Sequence, residues 1–85
     1  MAYTIKEVEA YATRTGIVKK LWSNQHITEA LDLIGRAEAD LGVLNLGQRC
    51  DLLADNMEID TVEDCRSLAY AATVRQLALT GGEVC

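Results

Sequence analysis

Apolar positions recur along this chain at helical spacing, and no stretch alternates as a strand would. The longest such stretch is DTVEDCRSLAYAATVRQLALTGG, from Asp60 to Gly82. Asp60 with Glu63 forms a capping-box pattern, and Gly81-Gly82 is a natural stop because glycine takes the left-handed conformation without a Cβ penalty. About 20 helical residues would span roughly 30 Å, the width of a small domain. From Leu68 to Leu79 only Thr73, Arg75 and Gln76 are strongly polar. A helix apolar on most sides is packed by neighbours on more than one face, so this one should be central.

The rest of the chain offers shorter helices to pack around it. Thr4 and Glu7 form a capping box before Ile5, Val8, Tyr11 and Ala12, an apolar face that ends at Gly16. Ile17, Val18, Leu21 and Trp22 suit a short second helix, with Lys19 and Lys20 on its polar side. Trp22 then reads as an anchor at the edge of the core. Ser23 to His26 is a polar break, where His26 has a surface or capping role. Ile27, Ala30, Leu31, Ile34, Ala37 and Leu41 form a continuous stripe, capped by Thr28 or Asn24, with Glu29, Asp32, Arg36 and Asp40 opposite. Gly35 inside this helix costs about 1 kcal/mol relative to alanine. Close approach of the Ala69–Ala72 region would compensate. After Gly42 and a short connector, Asn45 with Gln48 caps a helix marked by Leu46, Cys50, Leu53 and Met57. The expectation is a single all-α domain over residues 1–85: a compact bundle of four to five helices around a long C-terminal helix.

Composition narrows the function classes. The chain has 85 residues, 49% of them hydrophobic, with no Phe, no Pro and one Trp. No run approaches the roughly 18–20 apolar residues needed to cross a bilayer, and the N-terminus lacks a signal-peptide pattern. Cys50, Cys65 and Cys85 are odd in number and show no CxxC pair. Two buried thiols and a tail thiol fit a cytoplasmic protein better than a disulfide framework, although spacing alone leaves a Cys50–Cys65 bridge open. Zinc ligands come in closely spaced pairs, so His26 with these cysteines is a poor metal site.

The net charge of −5 is unevenly placed. Residues 1–26 carry four basic residues against two acids, and residues 27–85 carry four arginines against eleven acids. That acidic bulk argues against direct nucleic-acid binding, which needs a basic footprint. Asp51, Asp55, Glu58, Asp60, Glu63 and Asp64 lie in a stretch with no Lys, Arg or His. Asp60, Glu63 and Asp64 suit the start of the long helix, and Asp51 is early in the one before it. Asp55 lies four residues from Asp51, a like-charge pair, and Glu58 has no capping role. These two are the acids that folding does not require.

No catalytic pattern accounts for them. A calcium loop begun at Asp55 would place Met57 at its third position and Asp60 at its sixth, where oxygen and glycine belong. A hydrolytic carboxylate pair needs a cleft. No phosphate-binding glycine loop or nucleophile elbow occurs. The expectation is a non-enzymatic protein without cofactor or metal. Its acidic stretch would occupy a basic, nucleic-acid-binding surface on another protein or nucleoprotein complex. Small inhibitors encoded by phages and mobile elements, anti-CRISPR and DNA-mimic proteins among them, have this physical profile.

Two alternatives stand beside it. Tyr3-Thr4-Ile5-Lys6-Glu7-Val8, then Thr15-Gly16-Ile17, then Leu21-Trp22, resembles the opening of helix-turn-helix proteins of the mercury-resistance-regulator and excisionase type. That resemblance implies a DNA-binding regulator with a recognition helix in the major groove, served here by Arg14, Lys19 and Lys20. The segment from Val8 to Gly16 is about one helical turn longer than in that family. Val18 stands where its serine does, and its recognition-helix arginine is absent. The second alternative is a structural protein that self-associates, as a homodimer, through apolar helix faces.

Overall fold

A computed structural model describes residues 3–17, 20–79 and 83–84. Its architecture is helical, with four helices among the described residues: α1 (Ile5–Thr15), α2 (Asn24–Leu41), α3 (Leu46–Asn56) and α4 (Val62–Leu79). A two-residue antiparallel ladder, β1 (Tyr3–Thr4) with β2 (Glu83–Val84), pairs Tyr3 with Val84 and Thr4 with Glu83. So short a pairing leaves no alternation for a sequence pattern to show.

Local chemistry sets the helix ends. Thr4 Oγ1 accepts the Glu7 N–H at 3.4 Å and starts α1. Gly16 ends it in the left-handed region at φ 69°. There the Ile17 N–H reaches Ala12 O at 2.9 Å and the Gly16 N–H reaches Thr13 O at 3.3 Å, the paired bonds of a Schellman stop. Asn45 and Gln48 close the expected capping box on α3, with bonds of 2.8 and 3.0 Å. For α2 the cap is Ser23, whose Oγ accepts the His26 N–H, rather than Asn24 or Thr28. His26 Nδ1 lies 2.7 Å from the same hydroxyl, so His26 serves the cap as expected. For α4 the cap is Thr61, one residue beyond the expected Asp60: Thr61 Oγ1 accepts the Asp64 N–H at 3.1 Å. Both are good caps, and only the turn geometry decides between them. The expected stop at Gly81-Gly82 lies outside the described residues.

α4 is central, as its apolar character requires, and packs against α1, α2 and α3. Leu68, Ala69, Ala72 and Cys65 meet Ile27, Ala30 and Ile34 of α2 and Cys50 and Leu53 of α3 in the main core. Tyr70 and Leu77 meet Val8 and Ala12 of α1 in a second, smaller core. Gly35 is not where α2 approaches α4. It is exposed, and a methyl group added there would meet nothing within 4 Å, so its cost has no packing compensation. Leu41 is likewise exposed at the end of the α2 stripe.

The expected short helix over Ile17–Trp22 does not form: Ile17 and Lys20–Ser23 are irregular, and Val18 and Lys19 lie outside the described residues. The side chains of this segment are used instead as a strap over α4. Lys20 Nζ lies 2.9 Å from Asp64 Oδ1 and Trp22 Nε1 donates to Ser67 Oγ at 3.1 Å. Leu21 between them is 100% exposed. Adjacent residues pointing to opposite sides is an extended habit, and it breaks the single apolar face a helix would have made.

One polar cluster holds three helices together. Arg49 on α3 is 0% exposed. Its Nη2 donates to Glu38 Oε2 of α2 at 3.0 Å and its Nη1 to Thr73 Oγ1 of α4 at 2.7 Å. Its Nε donates to Leu44 O at 3.1 Å, and Glu38 Oε2 also accepts the Leu44 N–H at 2.8 Å. Thr73 donates its own proton to Ala69 O at 2.8 Å. A buried guanidinium is tolerable only when paired and hydrogen-bonded in this way.

Candidate functional site

The acidic stretch forms the corner where α3 turns into α4. Asp51 and Asp55 are one helical turn apart on α3, both exposed, on the side of the helix away from buried Arg49, Cys50 and Leu53. Glu58 and Asp60 are exposed in the connector, and Glu63 is exposed in the first turn of α4. The α4 N-terminus accounts for Glu63 through the helix dipole. With Thr61 acting as the cap, Asp60 makes no capping bond and joins Asp55 and Glu58 as an exposed acid.

Asp64 differs from its neighbours. It is half-buried and forms an ion pair with Lys20, whose ammonium also lies 4.3 Å from the Trp22 ring centroid. This pair spans 44 residues of sequence, so a count of local charges could not reveal it. Among the described residues, Asp51, Asp55, Glu58, Asp60 and Glu63 have no ion pair. No group of three or more His, Cys, Asp or Glu among the described residues could hold a metal ion. The carboxylates therefore present a dispersed charged surface, without the convergence that binding a cation demands.

A recess of about 180 Å³ adjoins this corner, lined by Tyr11, Ile17, Leu46, Cys50, Asp51 and Arg66 among others. Arg66 and Asp51 give it one charge of each sign. Cys50 and Cys65 are buried free thiols, which closes the question of a bridge between them. Burial pushes both thiols up, and the neighbouring Cys65 pushes Cys50 further. Raised thiols are poor nucleophiles at neutral pH, so these behave as core residues. Cys85 lies outside the described residues.

The strap also bears on the helix-turn-helix resemblance. The element that should enter the major groove would begin near Ile17, and the described residues of that segment form no helix. Lys20 is engaged by Asp64, and the Arg14 guanidinium sits 5.4 Å from the Tyr11 ring centroid. Lys19 lies outside the described residues. No helix among the described residues is long and apolar enough to cross a membrane.

Sequence reasoning missed the Glu38–Arg49–Thr73 cluster. Its signal was present: Arg49 lies three residues after Leu46 and four before Leu53, in register with the buried stripe of α3. Compared with known proteins, the chain matches no family model, no curated protein and no solved structure.

Proposed function

We propose that this protein is a non-enzymatic interaction protein whose α3–α4 corner binds a basic surface on another protein. The partner would be a nucleic-acid-binding protein or nucleoprotein complex, and the protein would act as an inhibitor by occupying that surface. The observation carrying this reading is the set of exposed carboxylates at Asp51, Asp55, Glu58, Asp60 and Glu63, without ion pairs among the described residues. Clustered charge of one sign raises the encounter rate with an opposite surface and selects against like-charged partners. Asp64 contributes less, because Lys20 already neutralises it. Glu38, bound to the buried arginine, is part of the scaffold.

The test is affinity capture from a bacterial lysate at low and moderate salt. Wild type is compared with a variant carrying Asp51→Asn, Asp55→Asn, Glu58→Gln and Asp60→Asn. A basic protein or nucleoprotein complex retained by wild type alone, with retention falling as salt rises, supports the assignment. Equal behaviour of the two baits removes it and leaves the carboxylates as a solvated surface.

A further inference from the structure

A second surface has the opposite charge character. An open groove of about 340 Å³ runs over α4, lined by Leu21 and Trp22 of the strap, Ala71, Val74 and Ala78 of α4, and the cations Lys20 and Arg75. Its floor is a side of α4 that the other helices leave open: Ala78 is exposed and Ala71 and Val74 are half-buried. Leu21 at its lip is fully exposed. Leu21 and Trp22 thus join the open side of α4 in one contiguous apolar surface, the kind that marks an interaction site where a single exposed leucine would not.

We infer that this groove docks an acidic amphipathic helix of a partner protein. The positions Ala71, Val74 and Ala78 follow one another at helical spacing along α4, and their small side chains leave a furrow in which another helix can lie. The charge of the rim selects the occupant. Among the described residues no acid lines the groove. Lys20 is shared with Asp64, so the available cation is Arg75, whose Nη2 donates to the neutral Asn24 Oδ1 at 3.2 Å. Among the described residues Arg75 has no carboxylate partner. A second copy docked through the same groove would bring in the same two cations and no acid from its lining, so it offers the rim no opposite charge. A helix with leucines on one face and carboxylates flanking them satisfies both the furrow and the rim. This surface is separate from the acidic corner and asks for the opposite charge.

Trp22 is the chain's one tryptophan and lines the groove, so its emission reports occupancy directly. The probes are two synthetic peptides of about five helical turns, one patterned with leucine and glutamate and the other with leucine and lysine. The glutamate peptide is expected to shift Trp22 emission saturably, and the lysine peptide is not. Arg75→Gln should weaken binding by about threefold to tenfold, as loss of one charge-assisted contact does. Leu21→Glu and Ala78→Glu should abolish it. All three positions are exposed, so the variants should fold, and circular dichroism is the check. The acidic-corner variant should bind the glutamate peptide at least as well as wild type, which separates the two surfaces. Binding of neither peptide, preference for the lysine peptide, or indifference to Leu21→Glu overturns the inference. So does an emission shift driven by protein concentration alone, which would identify a second copy as the occupant.

Discussion

α3 carries charge on both of its sides and treats it in two different ways. On the inner side Arg49 is fully buried, and hydrogen bonds to Leu44, Glu38 and Thr73 fix its guanidinium. On the outer side Asp51 and Asp55 lie in water, with no ion pair among the described residues. The inner charge is committed to one geometry by the cost of leaving it unpaired. The outer charges are committed to nothing, and only uncommitted groups remain available to a partner. A charged side chain is thus fixed by the fold or left in water according to which side of an 11-residue helix it occupies.

The sharpest way to break this contrast is to remove the inner charge. Arg49→Met leaves Glu38 half-stranded beside the core and should cost about 3–5 kcal/mol in urea unfolding. Adding Glu38→Gln should recover part of that loss, since the stranded carboxylate is then gone. Full additivity of the two changes would mean that the pair is not coupled.

The next effect concerns Cys50, on the inner side of the same helix, and Cys65 facing it across the core. Their folded-state thiols titrate above the ordinary value of 9.0 because burial disfavours the thiolate. Above the unfolded thiol's value the unfolded chain releases protons that the folded chain retains. Stability is therefore fully present below that value and falls as pH rises through the alkaline range. Unfolding free energies measured from neutral to alkaline pH should show this slope. A Cys50→Ala/Cys65→Ala variant should show a flatter one, and an unchanged slope would assign it to other groups.

The smallest effect belongs to the outer side. Asp51→Asn removes the repulsion with Asp55 one turn away and should raise stability by about 0.2–0.5 kcal/mol, read as a small rise in Tm. A loss above about 1 kcal/mol would show that Asp51 carries an architectural role after all.

Much of the helical scaffold was legible because its signals are local. Thr4 with Glu7, Gly16, and Asn45 with Gln48 each act within a few residues of themselves, and each lies at the helix end it marks. The stripe Ile27–Ala30–Ile34 and the apolar run of α4 expose their burial through period alone. The rest fails for two reasons: choices made at a distance, and local signals that tie or conflict. Ile17–Trp22 has a helical pattern, but Asp64 and Ser67 on α4 claim Lys20 and Trp22 and draw the segment out of it. Asp60 and Thr61 compete as caps on equal local terms. Arg49 is ambiguous in the sequence because its residue type argues for the surface while its register argues for the core. The positions of the acidic residues were legible, but the withdrawal of Asp64 by a lysine from the other end of the chain was not.

The two-residue ladder sets how the molecule would answer a mechanical load. It lays Tyr3 beside Val84 in antiparallel register. Tension applied through the two ends therefore acts across the ladder, opening its rungs one after another as a zipper rather than shearing them together. α1, which follows β1 directly and belongs to the smaller core, is next in line to peel away. On the other side the load enters α4, which the buried Arg49 and the main core tie to α2 and α3. Anything joined ahead of β1 and anything joined beyond β2 would leave the ladder side by side, at the Tyr3–Val84 rung.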